Sequence, residues 1–289
     1  MNVTQASFST RIRTWLLLAA LTALFIGIGA LIGGAALWLF VGLSIFMNVA
    51  AYWMSDKFAI RASKAKPVSE EEAPELHRMV AELAELYEVP KPRVYMIPSD
   101  QPNAFATGRN PKHAAVAVTQ GLMQSMPSDQ VRGVLAHEFA HVKNRDILVS
   151  SVAAMIAGAI SAIGNIFFWT SMFGGGDDDN AAGAILMVVI APIAAAMLQL
   201  GVSRQREYLA DATAARMLGE GRPLAEALET LERGRKALPM QVNPATEALY
   251  IVNPFAGKGV TALFSTHPPI EERIKRLREY DSRAGIHYG

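Results

Sequence analysis

Cysteine is absent from this chain of 289 residues. That excludes disulfides, thiolate metal sites and a cysteine nucleophile, so any bound metal must be held by His, Asp or Glu. Charge is scarce too: Asp, Glu, Lys and Arg make up 18%, where an ordinary soluble chain carries about a quarter. Neither sign dominates. The 27 basic and 26 acidic residues leave a net charge of +1, which gives no field for nucleic acid. With 51% hydrophobic residues and a mean hydropathy of +0.21, disorder and a collagen-like fibre are excluded as well.

What is present is long uncharged sequence. No charged residue stands between Arg13 and Asp56. A spanning helix needs about 20 apolar residues, so this run holds two, with Gly33-Gly34 as the turn between helices expected near 14–32 and 35–54. A cleaved signal peptide fits badly, because its apolar core is only about 7–15 residues long. Ile147–Gly176 and Ala181–Ser203 are further uncharged stretches, flanking the polar turn Gly174 to Asn180. They read as a second membrane hairpin. Their Ala, Gly and Ser content suits helix packing in lipid, but Asn165, Pro192 and Gln199 interrupt them, and a buried helical hairpin of a soluble domain stays open. Arg11, Arg13, Lys57, Arg61, Lys64, Lys66, Arg145, Arg204 and Arg206 all flank the same ends of these spans. By the positive-inside rule both hairpins then enter from the cytoplasm and return to it.

The expected fold class is a mainly α membrane protein: four transmembrane helices in two hairpins, plus a split cytoplasmic α+β domain with a small sheet. Its segments are 1–56 (first hairpin), 57–146 (first part of the polar domain), 147–203 (second hairpin) and 204–289 (second part). Leu76, Val80, Leu83 and Tyr87 have helical spacing within 69–89, and Pro74 suits a first turn. Arg93–Ile97 and Ala114–Val118 read as strands, with a possible third at Asn103–Thr107. Helix resumes near Ser128, a candidate N-cap, and is expected to run through the 140s. Further helices are expected at 204–218, ended by Gly219, from about Pro223, and from about Pro269 to Tyr280.

The chemistry concentrates in His137-Glu138-Phe139-Ala140-His141. Residues four apart share a helix face, so both imidazoles can reach one ion, with Glu138 placed to take a proton from water. This is the zinc-hydrolase spacing. A solvated helix face carrying two incidental histidines gives the same pentapeptide. Catalytic zinc has three protein ligands and an open position. Glu207 and Asp211, four apart after the second hairpin, offer one ligand and one carboxylate for a ligand's other ring N–H; an ordinary charged helix turn has the same spacing.

The HEFAH helix, the downstream SRQREYLAD segment and Ser265-Thr266-His267-Pro268-Pro269 together resemble the HtpX membrane metallopeptidases, relatives of the CAAX prenyl proteases with a gluzincin-type core. The resemblance implies an ATP-independent zinc endopeptidase with polypeptide substrates, a lipid bilayer around it and no nucleotide or nucleic-acid partner. It implies a multi-pass protein of the bacterial inner membrane, with active site and both termini cytoplasmic, working in stress response and membrane-protein quality control. By the family pattern, His137, His141 and Glu207 bind one zinc and Glu138 is the general base. His267 and Arg273 match residues that contact substrate or its tetrahedral intermediate, and Asn103, Ala104, Phe105 and Ala106 match the edge strand along which substrate lies. Two other readings stay open. An intramembrane zinc protease would carry the motif inside a span, which Arg132, Lys143, Arg145 and Asp146 make costly. A scaffold with structural zinc would close the metal with a fourth ligand and give Glu138 no task.

Overall fold

The computed structural model describes residues 3–156, 204–237, 249–252 and 268–285. Two long helices open it, α1 (Val3–Ile32) and α2 (Ala35–Ala62). Between them Gly33 and Gly34 have φ of +78° and +58°, conformations that glycine adopts without steric cost. The turn therefore falls where expected. Both helices run past the apolar stretch, because neither Pro nor Gly stands in 3–13 or 55–62 to stop them.

Among the described residues, α2 is the one helix long and apolar enough to cross a bilayer, with a mean hydropathy of 1.8. Its Trp38, Leu39, Ile45, Phe46 and Trp53 are each more than half exposed, a continuous apolar surface of the kind that marks contact with lipid or protein. The shorter apolar stretch Thr14–Gly27 lies in α1. There Leu17, Leu21 and Phe25 are buried with Ala51 against Val149, Val152, Ala153 and Ile156 of a further helix, α6 (Ile147–Ile156). The expected third span is thus described only in its first turns. The rest of it, and the fourth, fall at 157–203, outside the described residues.

A four-stranded mixed sheet lies beside this hairpin. Its strands are β1 (Lys66–Pro67), β2 (Arg93–Ile97), β3 (Ala104–Thr107) and β4 (Ala115–Thr119), in the order β1-β2-β4-β3. β2 and β4 are parallel, and the outer strands pair antiparallel. The two-residue β1 was not expected. β3 is an edge, yet both β3 and β4 are buried throughout. Burial on both faces explains why β4 reads as a continuous Ala/Val run with no polar alternation.

Helix α3 (Pro74–Leu86) begins on Pro74 and buries Leu76, Val80 and Leu83, followed by Tyr87. Thr119 caps the short α4 (Gln120–Ser125) by accepting from the Leu122 N–H. Central to the domain is α5 (Ser128–Asn144). Ser128 is not its N-cap: Pro127 holds that position, and the Ser128 hydroxyl donates to Glu75 at 2.5 Å. The helix also stops earlier than expected, because Arg145 turns left-handed at φ +61° before α6 restarts.

Three helices complete the domain: α7 (Arg204–Leu218), α8 (Arg222–Ala237) and α9 (Ile270–Arg283). Gly219 ends α7 with φ +84°. One buried apolar cluster joins Val134, Leu135 and Phe139 of α5 to Leu76 and Val80 of α3, Ala210 and Ala214 of α7, Leu228 of α8 and Leu277 of α9. The core is therefore built from both sides of 157–203. Gly133 sets the α5–α8 crossing, since a Cβ there would stand 2.7 Å from the Leu224 nitrogen.

Candidate active site

Three helices aim polar side chains at one point inside this core. α5 brings His137, Glu138 and His141; α7 brings Glu207 and Asp211; α9 brings Arg273. All but His141 are buried. His137 Nε2 faces His141 Nε2 at 3.1 Å, and each stands 3.5 Å from a Glu207 carboxylate oxygen. Two imidazole lone pairs facing at that distance require a proton or a cation between them. Ligand atoms bound at the usual zinc distance in tetrahedral geometry lie about 3.3 Å apart, so the three donors already have the spacing of a metal cage. Among the described residues no other group of three such side chains converges.

Each imidazole is held from behind. His137 Nδ1 lies 2.9 Å from Asp211, and His141 Nδ1 lies 3.1 Å from Asp146. Protons on Nδ1 leave both Nε2 lone pairs directed inward. Burial alone pulls the His141 imidazole down, but the carboxylates of Asp146 and Glu207 outweigh it and push its pKa up to about 9. The His137 imidazole is raised in the same way, by Asp211 and Glu207 against burial. Arg273 fixes Asp211 in turn: its Nη2 and Nε donate to the carboxylate at 2.7 and 2.8 Å. That pairing outweighs burial and holds the Asp211 carboxyl below the usual carboxylate range. Glu138 differs. Burial pushes its carboxyl up, and one oxygen accepts from the Ala106 N–H of β3 at 2.7 Å.

The profile of peptidase family M48 matches residues 70–281. A protease HtpX homolog from Pelotomaculum thermopropionicum is 51% identical over 273 residues, 92% of this chain and 97% of that one. Another, from Pyrococcus furiosus, is 48% identical over 281 residues, 95% of this chain and 97% of its own. The chain belongs to peptidase family M48. The crystal structure of S. mikatae Ste24p shares its fold, with a TM-score of 0.51 over 95% of this chain and 67% of that one at 21% identity.

As an M48 metallopeptidase, the chain brings His137, His141, Glu207, Glu138 and Asp211 into one constellation. Arg273 joins it as well, its fully buried guanidinium facing Asp211, Glu207 at 3.8 Å and the Ile251 carbonyl at 3.0 Å. His267 lies outside the described residues. Asn103 immediately precedes the edge strand β3, which contains Ala104, Phe105 and Ala106. Asp146 went unanticipated because helical spacing points three or four residues on, and Asp146 is five from His141. It arrives only because Arg145 turns left-handed and the Asp146 N–H folds back onto the His141 carbonyl at 3.2 Å.

Proposed function

We propose that this M48 peptidase is a membrane-anchored zinc endopeptidase that cuts misfolded or damaged membrane and cytosolic polypeptides at the cytoplasmic face. The observation that carries the reading is the convergence of His137, His141 and Glu207 with the buried Glu138 alongside. Two imidazoles and one carboxylate, with a non-ligand glutamate next to them, form a catalytic donor set for zinc with a position left for water. In this reading 57–146 and 204–289 form one catalytic unit, while 1–56 and 147–203 anchor it as hairpins in a bacterial inner membrane with both termini inside.

Bound zinc would supply Lewis acidity, polarising a peptide carbonyl and acidifying a water. The chain's own residues do the rest. Glu138 takes the proton of the attacking water and returns it to the departing amine, a role suited to a carboxyl whose proton affinity burial has raised. The Ala106 N–H keeps the unused oxygen of Glu138 in place. Asp211 and Asp146 fix the ligand imidazoles, and Arg273 is a positioning residue acting through Asp211. An extended substrate adds to the outer edge at Asn103–Ala106, where backbone pairing holds any sequence. His267, which precedes Pro268 and Pro269 in the sequence, donates to the oxyanion in this reading.

The motif lies outside the bilayer in this reading. Lys143 donates to the Tyr87 carbonyl and to exposed Glu88, and Arg132 pairs with Glu82 at 2.6 Å, a polar surround too costly for hydrocarbon. The test is digestion of unfolded casein and of a membrane protein by the purified chain, with parallel zinc analysis. Cleavage should stop on chelation and return with zinc. Cleavage indifferent to a chelator would contradict the reading.

A further inference from the structure

The outer edge of β3 already has an occupant. Leu249–Val252, buried at all four residues, lies against it as a short bent segment outside the sheet. The Ile251 N–H donates to the Ala104 carbonyl at 3.1 Å, and Asn103 Nδ2 donates to the Val252 carbonyl at 2.8 Å. The Arg273 guanidinium donates to the Ile251 carbonyl from the other side. Tyr250 stands edge-on to Phe105, ring centroids 5.2 Å apart, among Ile97, Ala117 and Ala59. The outward donors of the edge are also taken: the Ala104 N–H by the Asn103 side-chain oxygen at 3.1 Å and the Ala106 N–H by Glu138. Beside the metal-ligand group the cavity lined by Ala106, His137, Glu138, His141 and Tyr250 measures about 20 Å³. That is room for about one water, and no peptide backbone fits it.

We infer that Leu249–Val252 is an internal occupant of the substrate edge: its Ile251 N–H takes the outward Ala104 carbonyl that an extended polypeptide would use, and it must leave before a substrate strand can bind. The inference rests on the reading that substrate adds to Asn103–Ala106. The slot that Tyr250 fills against Phe105 then receives a large apolar side chain of the incoming peptide, which matches the exposed hydrophobic segments of unfolded protein. Apparent affinity is lowered by the fraction of molecules whose edge is closed, so loosening the segment should tighten substrate binding and locking it should abolish binding.

Because the chain has no cysteine, the lock can be made as one unique disulfide. The N···O contact of 3.1 Å between residues 251 and 104 holds their Cα atoms within about 7 Å, the range for a bridge. The test places Ala104→Cys and Ile251→Cys in the full chain carrying Glu138→Gln, so that fluorescein-labelled unfolded casein binds without being cut. Binding is read by anisotropy. The oxidised protein should bind casein at least about tenfold more weakly than the reduced one, and a thiol reductant should restore it. Equal affinity in both forms, with the bridge confirmed by mass, would overturn the inference; a pair that does not bridge would contradict the contact itself. Ile251→Pro, which deletes the donated N–H, should strengthen casein binding several-fold with the folded state checked by thermal melting, and unchanged binding would again overturn the inference. Cleavage by the wild-type chain is read separately. A protein whose casein binding obeys the lock but which cuts nothing would fail the peptidase reading and uphold this one.

Discussion

Two carboxylates decide how two imidazoles face the metal position. Asp211 and Asp146 hold Nδ1 of His137 and His141, and each reaches its partner by a different route. Asp211 comes from α7 and is itself fixed by Arg273; Asp146 comes from the turn that ends α5. If both act through the rings, Asp211→Ala and Asp146→Ala should each weaken zinc binding by about 10–100-fold. Glu207→Ala, which deletes a ligand, should weaken it more. Competition with a zinc-chelating dye ranks the three, and a Glu207→Ala protein that binds zinc as tightly as wild type would remove Glu207 from the cage. The pentapeptide and the Glu207/Asp211 pair were legible in the sequence because helical spacing alone puts their side chains on shared faces. Asp146 was not, since its approach depends on one left-handed residue. The burial of Arg273 was not legible either: at that position sequence shows a charged residue in an amphipathic helix, and only the packing of α9 on α7 places it inside.

At the scale of elements, the crossing of α5 and α8 has the least tolerance. Gly133 sits where a Cβ would meet the backbone of Pro223 and Leu224, and backbone cannot swing away as a side chain can. Alanine normally favours a helix over glycine by about 1 kcal/mol. Here overpacking of about 1–3 kcal/mol should outweigh that gain, so Gly133→Ala should lower the melting temperature. A raised melting temperature would show that α8 moves freely. Most elements were legible because periodicity and punctuation agree: Gly33-Gly34 and Gly219 take positive φ, and Pro74, Pro223 and Pro269 stand at helix starts. The α5 boundaries were not. Pro127 rather than Ser128 occupies the cap, and no glycine marks the left-handed stop at Arg145. The contact of Leu249–Val252 with the edge strand was also invisible, because one backbone hydrogen bond from a bent four-residue segment leaves no periodic pattern to read.

For the whole molecule, protons and metal compete for one site. In the metal-free fold His141 has its pKa at about 9 against an ordinary 6.5. A raised value stabilises the protonated fold, so this contribution is complete below about pH 6.5 and is lost as pH rises through about 9. Melting of the metal-free protein should therefore fall across that window, while zinc affinity should climb through it by about tenfold per pH unit for the one proton displaced. Flat zinc affinity from pH 7 to 9 would contradict the coupling. Reporter fusions test the membrane reading: one at Gly175 should lie outside the cytoplasm and one at Lys64 inside, and a cytoplasmic Gly175 would make 147–203 a hairpin that does not cross. Hydrophobic runs mark α2 in the sequence, and its exposed aromatic and aliphatic side chains agree with the proposed anchor. The central claim, that Glu138 is the base beside a metal held by His137, His141 and Glu207, is tested most directly by measuring zinc content and casein cleavage on one preparation of full-length Glu138→Gln. The expected result is one zinc per chain with cleavage reduced by about 10²–10⁴-fold. One zinc per chain with cleavage at the wild-type rate would contradict it.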